Sequence, residues 1–450
     1  MGIFGAVLTA VSGLQAQSYA MENISGNIAN SQTTGYKRVD TSFVDLITEL
    51  PSRRELGGSV SGFSRLTNTL QGDLRTTGIS TNMALSGEGY FVVQERIGTA
   101  NNRPTFSSTD YYTRRGDFTV DSNGYLVNGA GFYLKGSSID PVTGQVSAAS
   151  TGLIQLSNEP LPAKATRSIT YSANLPSSPA TADAQAGRGH LLTNPQPSVT
   201  GADQGTFTSQ SISGGSVVVY DPQGTPVTMQ VRWAKTAEAA AGPPAVQETW
   251  NAFYLANSSA GATDVAWRNF GQDFTFDSNG RMTAPTTSSV SLPALEIDGT
   301  RVGDVTVQFG TNGLTQYAAS GGLVQANSVQ QDGYASATLN ALTVSNDGRI
   351  SGSYSNGQVV PVAEVAVAQF SADNALKRKS GGAYEQTLES GLPLVGTSGA
   401  TVLGGLVEGS NTDVADEFAK MIVTQQAYSA NTRVVTTSQQ MLSDVLNMVR

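Results

Sequence analysis

The C-terminal stretch 414–449, VADEFAKMIVTQQAYSANTRVVTTSQQMLSDVLNMV, decides the fold of this chain. One set of its residues recurs with alternating spacings of four and three. Such spacing places a narrow stripe along one side of a helix and is typical of a coiled coil. The stripe consists of Val414, Phe418, Met421, Gln425, Tyr428, Thr432, Val435, Gln439, Leu442, Leu446 and Val449. The stretch therefore predicts a C-terminal helix about 54 Å long.

The N-terminal stretch repeats this pattern. Residues 2–29 predict a helix of roughly 40 Å. Thr33, Thr34 and Gly35 end it, because glycine accepts a positive φ and β-branched residues weaken a helix. The spacing of four and three is carried here by Phe4, Val7, Val11, Leu14, Ser18, Met21, Ser25 and Ile28. Two helices with matching stripes at the two termini indicate a chain that joins to copies of itself.

The C-terminal helix is too long for the body of its own chain to cover its stripe. Its many Thr, Ser, Val and Asn residues also have weak helix propensity. We therefore expect both terminal helices to be mobile in the monomer and to become ordered when subunits pack. The spacing supports equally well an intramolecular helical hairpin or ordinary core helices.

Between the helices the sequence predicts turns and short strands. Residues 30–72 are expected to be extended or irregular, and residues 381–409 to be glycine-rich loops. One strand–turn–strand unit recurs, with an Asn-Gly or Asp-Gly pair whose two residues are expected to need positive φ. Its three copies are residues 118–126, 274–282 and 342–350.

Residues 163–325 predict a separate inserted domain with its own aromatic core, since all three tryptophans, Trp233, Trp250 and Trp267, lie there. The fold class is thus mainly β with α-helical termini. The terminal coiled-coil helices pack together, and two β-rich domains are nested by insertion. We expect terminal segments at 1–29 and 413–450, connecting segments at 30–72 and 380–412, an inner β domain at 73–162 and 326–379, and the outer β domain at 163–325.

The composition excludes several classes of function. Charged residues make up 14% of the chain, and the net charge of −9 leaves no basic stripe for nucleic acid. The tight basic cluster Lys377-Arg378-Lys379 is more simply a solvated surface. No apolar run is long enough to span a membrane. The absence of cysteine excludes disulfides and thiolate metal sites.

Enzymatic sites find little support. His190 is the single histidine and lies in a glycine- and proline-flanked stretch, so neither a Ser-His-Asp arrangement nor a histidine zinc site is expected. We predict no catalytic residues, no metal site, no cofactor and no small-molecule substrate. The competing class is a secreted β-rich adhesin, in which Trp233 or Tyr254 would form an exposed platform for sugars.

Several segments carry a family resemblance. Asn27, Ala29, Asn30, Thr33, Gly35, Tyr36 and Lys37 stand in a stretch that resembles the N-terminal signature of the bacterial flagellar rod and hook proteins. Residues 410–413 and 421–431 resemble the closing helix of that family. Residues 85–93 and 112–118 resemble its first β domain. The chain departs from the common pattern at Gly26 and Gln426.

Rod proteins of this family generally lack a large inserted domain, whereas residues 217–224 resemble the outer domain of the hook proteins. Residues 332–334, 345–348, 352–357 and 367–370 resemble their returning inner domain. The resemblance implies a hook subunit that polymerises into a curved, flexible tube and transmits torque from the motor to the filament. A distal rod subunit of the basal body is the nearest alternative.

The family also implies partners, export and packing residues. The partners would be other copies, the rod, hook-cap, hook-length-control and hook–filament junction proteins, and the flagellar type III export apparatus. The chain would be extracellular and keep its N-terminus, because residues 3–14 lack the preceding basic residues of a signal peptide. Phe4 and Leu8 resemble an export-recognition pattern. The expected subunit-packing residues are Phe4, Val7, Val11, Leu14, Met21, Ile28, Phe418, Met421, Tyr428, Val435, Leu442, Leu446 and Val449.

Overall fold

The chain divides into two compact units, and one interrupts the other. A computed structural model describes residues 3–46, 59–100, 103–140, 143–146, 151–156, 159–239, 247–310, 313–318, 321–396 and 399–448. Unit 1 comprises Met1–Asn158 and Leu339–Arg450, and unit 2 comprises Glu159–Thr338. Unit 2 is therefore an insertion into unit 1. The predicted fold class, mainly β with packed terminal helices, is confirmed.

Unit 1 begins and ends with a long helix. Its N-terminal half contains α1 (Ile3–Ala29), β1 (Val39–Leu46), β2 (Ser59–Leu66), β3 (Leu74–Thr76), β4 (Met83–Gly87), β5 (Tyr90–Ala100), β6 (Arg103–Phe106), β7 (Tyr111–Thr113), β8 (Phe118–Val120), β9 (Leu126–Asn128), β10 (Phe132–Ser138) and β11 (Gly152–Leu153).

Unit 2 follows with β12 (Ser168–Asn174), α2 (Ala182–Gln185), β13 (Ser198–Thr200), α3 (Gln204–Ser209), β14 (Ile212–Tyr220), β15 (Pro226–Ala237), β16 (Thr249–Leu255), β17 (Val265–Phe276), β18 (Met282–Ala284), β19 (Ser289–Ile297), β20 (Thr300–Gln308), β21 (Leu314–Thr315) and β22 (Gln325–Gln331).

Unit 1 resumes with β23 (Leu339–Val344), β24 (Arg349–Tyr354), β25 (Val359–Val365), β26 (Val367–Gln369), the 3-10 helix Asp373–Ala375, β27 (Lys377–Lys379), β28 (Ala383–Glu385), β29 (Leu394–Val395), β30 (Ala400–Gly404), β31 (Leu406–Glu408) and α4 (Val414–Met448).

The central sheet of unit 1 is assembled from both halves of the chain. Its main path runs β23-β24-β25-β10-β5-β7-β28-β27. Two small ladders, β30 with β4 and β3 with β31, join the returning segment to the outgoing one. The core includes the fully buried Met83, Leu85, Phe91, Phe118 and Leu134. The N-terminal and C-terminal segments of unit 1 thus depend on each other for folding.

Two segments without a clear strand pattern in the sequence contain paired strands. Residues 39–46 and 59–66 form the β1–β2 hairpin, and residues 381–409 contain β28 to β31. Glycine and serine made the strands in both segments difficult to recognise, because these residues weaken the strand pattern of the sequence without preventing pairing. The strands at 39–46 and 59–66 agree with the extended alternative predicted for residues 30–72, whereas the prediction of loops throughout 381–409 was wrong.

Unit 2 contains a five-stranded sheet, β19-β20-β12-β21 with β22, and a six-stranded sheet, β13-β17-β16-β15-β14 with β18. Trp233 and Trp250 are fully buried in its core, and Trp267 belongs to a smaller buried cluster. Trp233 and Tyr254 are therefore core residues, so the hypothesis of an exposed sugar platform formed by them is wrong. The ends of unit 2 meet where Leu161 donates its backbone N–H to Ala337 at 2.7 Å.

The recurring turn follows different chemistry from the predicted one. Among the described residues, positive φ outside glycine occurs at Ser288, Ala294 and Asp298, so the turn asparagines do not adopt it. Only the glycine of each turn does, with φ of 83° at Gly124 and 72° at Gly280. In the first two copies, Asp121 and Asp277 instead each accept two backbone N–H groups, which is an Asx turn.

Candidate functional site

Helices α1 and α4 pack side by side in opposite directions. At one end of the pair, the Asn27 side-chain amide donates to Glu417 at 2.9 Å. Farther along, a Cβ on Gly13 would lie 2.8 Å from the amide nitrogen of Asn431. Between the two pairs, the position on α1 falls by as many residues as the position on α4 rises. The helices therefore keep one antiparallel register along this length. The terminal helices thus form an intramolecular pair, as one of the two equally weighted interpretations of the spacing predicts.

The contact face of this pair is built from small side chains. On α1 the buried positions recur every three or four residues and include Ala10, Gly13, Ala16, Ala20 and Ile24. On α4 the buried or half-buried positions include Thr424, Ala427, Asn431, Val435 and Ser438. Small residues let two helix backbones approach closely. Because they carry little hydrophobic signal, the sequence pattern did not reveal this face.

Apart from Val435, most of the predicted stripe lies beside the contact face. Phe4 exposes 77% of its surface, Phe418 exposes 50% and Leu446 exposes 64%. Val11 and Tyr428 are also exposed. The remaining members are half-buried, namely Val7, Leu14, Met21, Ile28, Met421, Val435 and Leu442. Val449 lies outside the described residues. Much of the predicted packing surface therefore faces outward from the helix pair.

The hairpin of β1 and β2 lies along α1. The Val60 backbone N–H donates to the Ser12 hydroxyl at 3.3 Å, and the Asn23 side chain donates to Thr41 at 2.8 Å. A Cβ on Gly62 would lie 3.4 Å from the Tyr19 ring and 3.6 Å from the Ala16 carbonyl oxygen, so this part of the hairpin is in contact with α1. Residues of α1, α4 and this hairpin enclose a groove of about 440 Å³. It is lined by apolar groups such as Phe43 and by charged groups such as Lys420.

Asn27 joins the helix pair to the base of the hairpin. Its amide group donates to the Val39 carbonyl at 2.9 Å and accepts from the Val39 backbone N–H at 2.9 Å. The Tyr36 hydroxyl donates to the same Asn27 oxygen at 3.1 Å. Glu417 is held in turn by Lys420 at 2.6 Å. One buried amide thus fixes the end of α1, the start of the hairpin and the start of α4.

The other motif residues shape the turn after α1. The Asn30 side chain donates to the Gly26 carbonyl at 2.8 Å, and the Thr33 hydroxyl donates to Asn30 at 3.1 Å. Gly35 has φ of 68° and lies so close to the Arg115 backbone that a Cβ would be 2.7 Å from its nitrogen. Ala29 is exposed.

The turn delivers Lys37 into a buried cluster of three charged side chains. Lys37 Nζ lies 2.5 Å from Glu408 and donates to the Leu70 carbonyl at 2.6 Å. Arg114 approaches the second Glu408 oxygen at 3.3 Å. The three side chains are 4% exposed or less. Buried charges on this scale are retained only when paired, so the cluster fixes the geometry of the segments that carry it.

Glu408 is the hub of that cluster. Besides the two cations, it accepts the Gly72 backbone N–H at 2.8 Å, and its carbonyl accepts the Gly35 backbone N–H at 2.8 Å. Burial lowers the pKa of Lys37, and the nearby Glu408 opposes that shift. Burial also raises the pKa of the Asp373 carboxyl, and the positive charge of Arg114 opposes that shift.

Asn411 closes the junction from the C-terminal side. Its side-chain oxygen accepts the Arg38 backbone N–H at 2.7 Å, and its amide donates to Thr67 and Leu70. Asp413 caps α4 by accepting the Ala415 backbone N–H at 2.8 Å. We call the set Asn27, Lys37, Arg114, Glu408, Asn411 and Glu417 the junction. Its acidic hub, Glu408, was not recognised in the sequence analysis. The available signal for this residue was a carboxylate at a strand position, between an apolar residue and a glycine.

The single histidine lies beside a glutamate. His190 Nε2 lies 2.6 Å from Glu238 in unit 2, on a partly exposed surface. Across the described residues, no group of three or more His, Asp or Glu side chains is placed to hold a metal ion. Nor does any helix in the described part of the chain have the length and hydrophobicity needed to cross a membrane.

Four family models match successive parts of the chain. Residues 8–37 match the flagellar basal body rod protein model, and residues 84–156 match the flagellar hook protein FlgE/F/G D1 domain. Residues 174–334 match the flagellar basal body protein FlaE D2 domain, and residues 403–448 match the flagellar basal body rod FlgEFG protein C-terminal model. The D2 match covers most of unit 2.

Curated relatives match over the full length of the chain. The flagellar hook protein FlgE of Brucella suis is 28% identical over 100% of both chains. That of Salmonella typhimurium is 29% identical over 98% of both chains. The chain belongs to the flagellar hook protein family. It is a structural subunit of the hook, and neither the rod alternative nor the adhesin alternative is favoured.

A solved structure shares the fold of this hook-family chain. The flagellar hook protein FlgE2 of Helicobacter pylori aligns with a TM-score of 0.51 over 73% of this chain and 98% of that one, at 15% identity. Proteins of the family are structural and form part of the flagellum outside the cell. The predicted N-terminal motif residues fall in the matched rod segment, where the structure gives most of them a definite contact.

Proposed function

We propose that copies of this chain assemble through the outer faces of their terminal helices into the curved, flexible tube of the hook. This tube would transmit torque from the motor to the filament while it bends. The observation that carries the proposal is the exposure of large apolar side chains on the outer sides of both helices, several of them members of the predicted stripe. Within the described chain, α1 and α4 bury their small residues on each other, while Phe4, Phe418, Ile422 and Leu446 are exposed. Large exposed apolar side chains along a helix are typical of an interaction surface.

Bending requires interfaces that can be remade at low cost. The chain has only 14% charged residues and many small polar ones. Contacts of small polar groups through water can be exchanged with little change in free energy. The junction has the opposite character, since its buried charges hold the helix pair firmly to the rest of unit 1. A firm inner layer and an adaptable outer surface suit a flexible transmission tube.

The four-part domain division, the partners and the route of export belong to the same proposal. We expect the segments 1–29 with 413–450 to line the tube, with the β domains outside. Rod, hook-cap, hook-length-control and hook–filament junction proteins would meet the ends of the polymer. Phe4 and Leu8 are both exposed on α1, which leaves them accessible to the type III export apparatus. Export would leave the N-terminus uncleaved.

The assembly is tested with point variants of the full chain. F418S combined with I422S removes two exposed apolar side chains of α4 and should leave the folded monomer intact. Electron microscopy under polymerising conditions should show tubes for the wild type and monomers for this double variant. Q426S on the same helix, at an exposed polar position, is the matched control and should still form tubes. Tubes from the double variant would contradict the proposed role of this face.

A further inference from the structure

A second apolar surface lies outside the two terminal helices, in the returning segment of unit 1. Within eight consecutive residues, Leu388, Leu392, Leu394 and Val395 each expose more than half of their surface. Leu388 is 103% exposed, which is the largest value among the described apolar residues. We call residues 388–395 the leucine loop. Glu389 is its one charged residue.

The leucine loop is rigidly held despite its exposure. The Thr387 backbone N–H donates to the Ser390 hydroxyl at 2.9 Å, and the Ser390 backbone N–H donates to the Thr387 hydroxyl at 3.1 Å. The Thr387 hydroxyl donates to the Ala375 carbonyl at 2.8 Å, which ties the loop to the 3-10 helix. Ser390 itself is fully buried. The exposed leucines are therefore fixed by the loop, so presenting them costs little additional ordering.

The loop ends in an edge strand. Leu394 and Val395 form β29, which pairs with β26 on one side, and no other described strand pairs with β29. Natural edge strands are usually protected by charges, proline or a covering segment. Here Pro393 limits pairing, yet the two β29 side chains remain apolar and exposed. This combination is typical of a surface that is covered in the functional state.

The size of the surface identifies what covers it. Four side chains offer a few hundred Å² of apolar area, whereas a stable independent interface buries roughly 800 Å² on each partner. Such a patch is too small to hold a free partner by itself. It is sufficient as one repeated contact in a polymer whose subunits are held together elsewhere as well, because linked contacts reinforce each other. A second copy of this chain, already aligned by the helices, meets that requirement.

We infer that the leucine loop is a lateral contact between copies of this chain in the assembled tube, separate from the contact made by the terminal helices. The inference rests on the proposed polymer. A heterologous contact of this kind joins two different surfaces of the same chain and extends into a helical array. The loop would then stabilise the outer wall of the tube without taking part in the packing of the helices.

The chain contains no cysteine, so a single thiol can report on the loop. L392C is prepared in the full chain, and its reaction with a maleimide is timed in the monomer and in the polymer. We expect rapid reaction in the monomer and at least about tenfold slower reaction in the polymer. The thiol must be uncovered before it reacts, and a cost of about 1.4 kcal/mol for uncovering it slows the reaction tenfold. S122C, at an exposed polar turn position of unit 1, should react at similar rates in both states.

A second variant measures the energy of the contact. L388S, L392S and L394S combined should raise the critical concentration for polymerisation at least about tenfold, while the circular dichroism of the monomer is unchanged. Equal reaction rates for the L392C thiol in monomer and polymer, or an unchanged critical concentration, would overturn the inference alone. Failure of the wild-type chain to polymerise would overturn the proposed function as well. A benzophenone attached to the L392C thiol should cross-link to another copy within purified polymers.

Discussion

Glu408 is the one anion in direct contact with the buried Lys37 and Arg114 side chains in the described part of the chain. E408Q leaves two buried cations without an anion, whereas K37M leaves a neutral Arg114–Glu408 pair. Breaking a buried ion pair by removing one partner costs about 3–5 kcal/mol. We expect a loss of that size for E408Q and a smaller loss for K37M.

Two optical signals distinguish a loss of stability in unit 1 from a loss of stability in both units. All three tryptophans lie in unit 2, so their fluorescence follows the unfolding of that unit. The two long helices belong to unit 1 and dominate the far-ultraviolet circular dichroism. In urea titrations, E408Q should shift the dichroism transition to lower urea and leave the tryptophan transition in place. A larger loss for K37M than for E408Q would contradict the role of Glu408 as the hub.

Gly35 and Gly26 provide a matched pair of glycine substitutions. G35A places a Cβ at a φ of 68° and within 2.8 Å of two Arg115 backbone atoms, so about 1–3 kcal/mol of stability should be lost. G26A lies inside α1, where a Cβ would meet no atom within 4 Å. Alanine should stabilise that helix by about 0.5–1 kcal/mol. Urea midpoints measured by circular dichroism should therefore move in opposite directions, and a shared direction would refute this account.

At the scale of single elements, the Asx turns link stability to pH. In the turn after β17, the Arg281 backbone N–H donates to Asp277 at 2.8 Å and lowers the pKa of that carboxyl below its usual value. In the turn between β14 and β15, the Thr225 backbone N–H lowers the pKa of Asp221 in the same way. Because the folded pKa is the lower one, these turns stabilise the fold above the unfolded pKa of about 4. The stabilisation is lost as the pH falls through the folded pKa.

D277N tests this linkage. The variant should have a lower melting temperature than the wild type at neutral pH, because the amide oxygen carries no charge. The difference should disappear at a pH below the folded pKa, where the wild-type carboxyl is protonated. Tryptophan fluorescence reports the transition, since Asp277 lies in unit 2 with the tryptophans. E296Q, at an exposed position on β19, is the control and should show no such convergence. A constant difference across the pH range would contradict the mechanism.

The same elements show how far the sequence could be interpreted. The two helices follow from their spacing, because that pattern extends over many turns and few other structures produce it. The contact face between them could not be found this way, since Ala10, Gly13 and Ala16 pack by being small. The turn copies were recognisable from their repeated letters. Their geometry depends on an aspartate side-chain oxygen that accepts the backbone N–H groups two and four residues later. A further turn of this kind, at Asp221, was not recognised from the sequence.

The junction illustrates a different limit. Its motif residues Asn27, Gly35 and Lys37 were singled out by resemblance, which gave them importance without a partner. Lys37 and Glu408 are separated by 371 positions in the chain. No local pattern can join residues at that separation, because the contact exists only after the two halves of unit 1 have folded together.

At the scale of the whole molecule, net charge opposes assembly. Each copy carries a net charge of −9, so copies repel one another at low ionic strength. Salt screens this repulsion over a Debye length of about 10 Å at 0.1 M. Raising the salt concentration should therefore lower the critical concentration for polymerisation, as measured by sedimentation. Polymers that dissolve when salt is added would show instead that ion pairs between copies dominate the interfaces.

The meeting of the two ends of unit 2 has an evolutionary consequence. Leu161 and Ala337 exchange backbone hydrogen bonds, so the chain leaves and returns through adjacent points. A segment whose ends are adjacent can be shortened, enlarged or exchanged by a single genetic event without altering the path of the remaining chain. Unit 2 is thus a replaceable segment, whereas the helices and the junction belong to the chain that remains. Grafting an unrelated domain between residues 161 and 337 would be the laboratory equivalent.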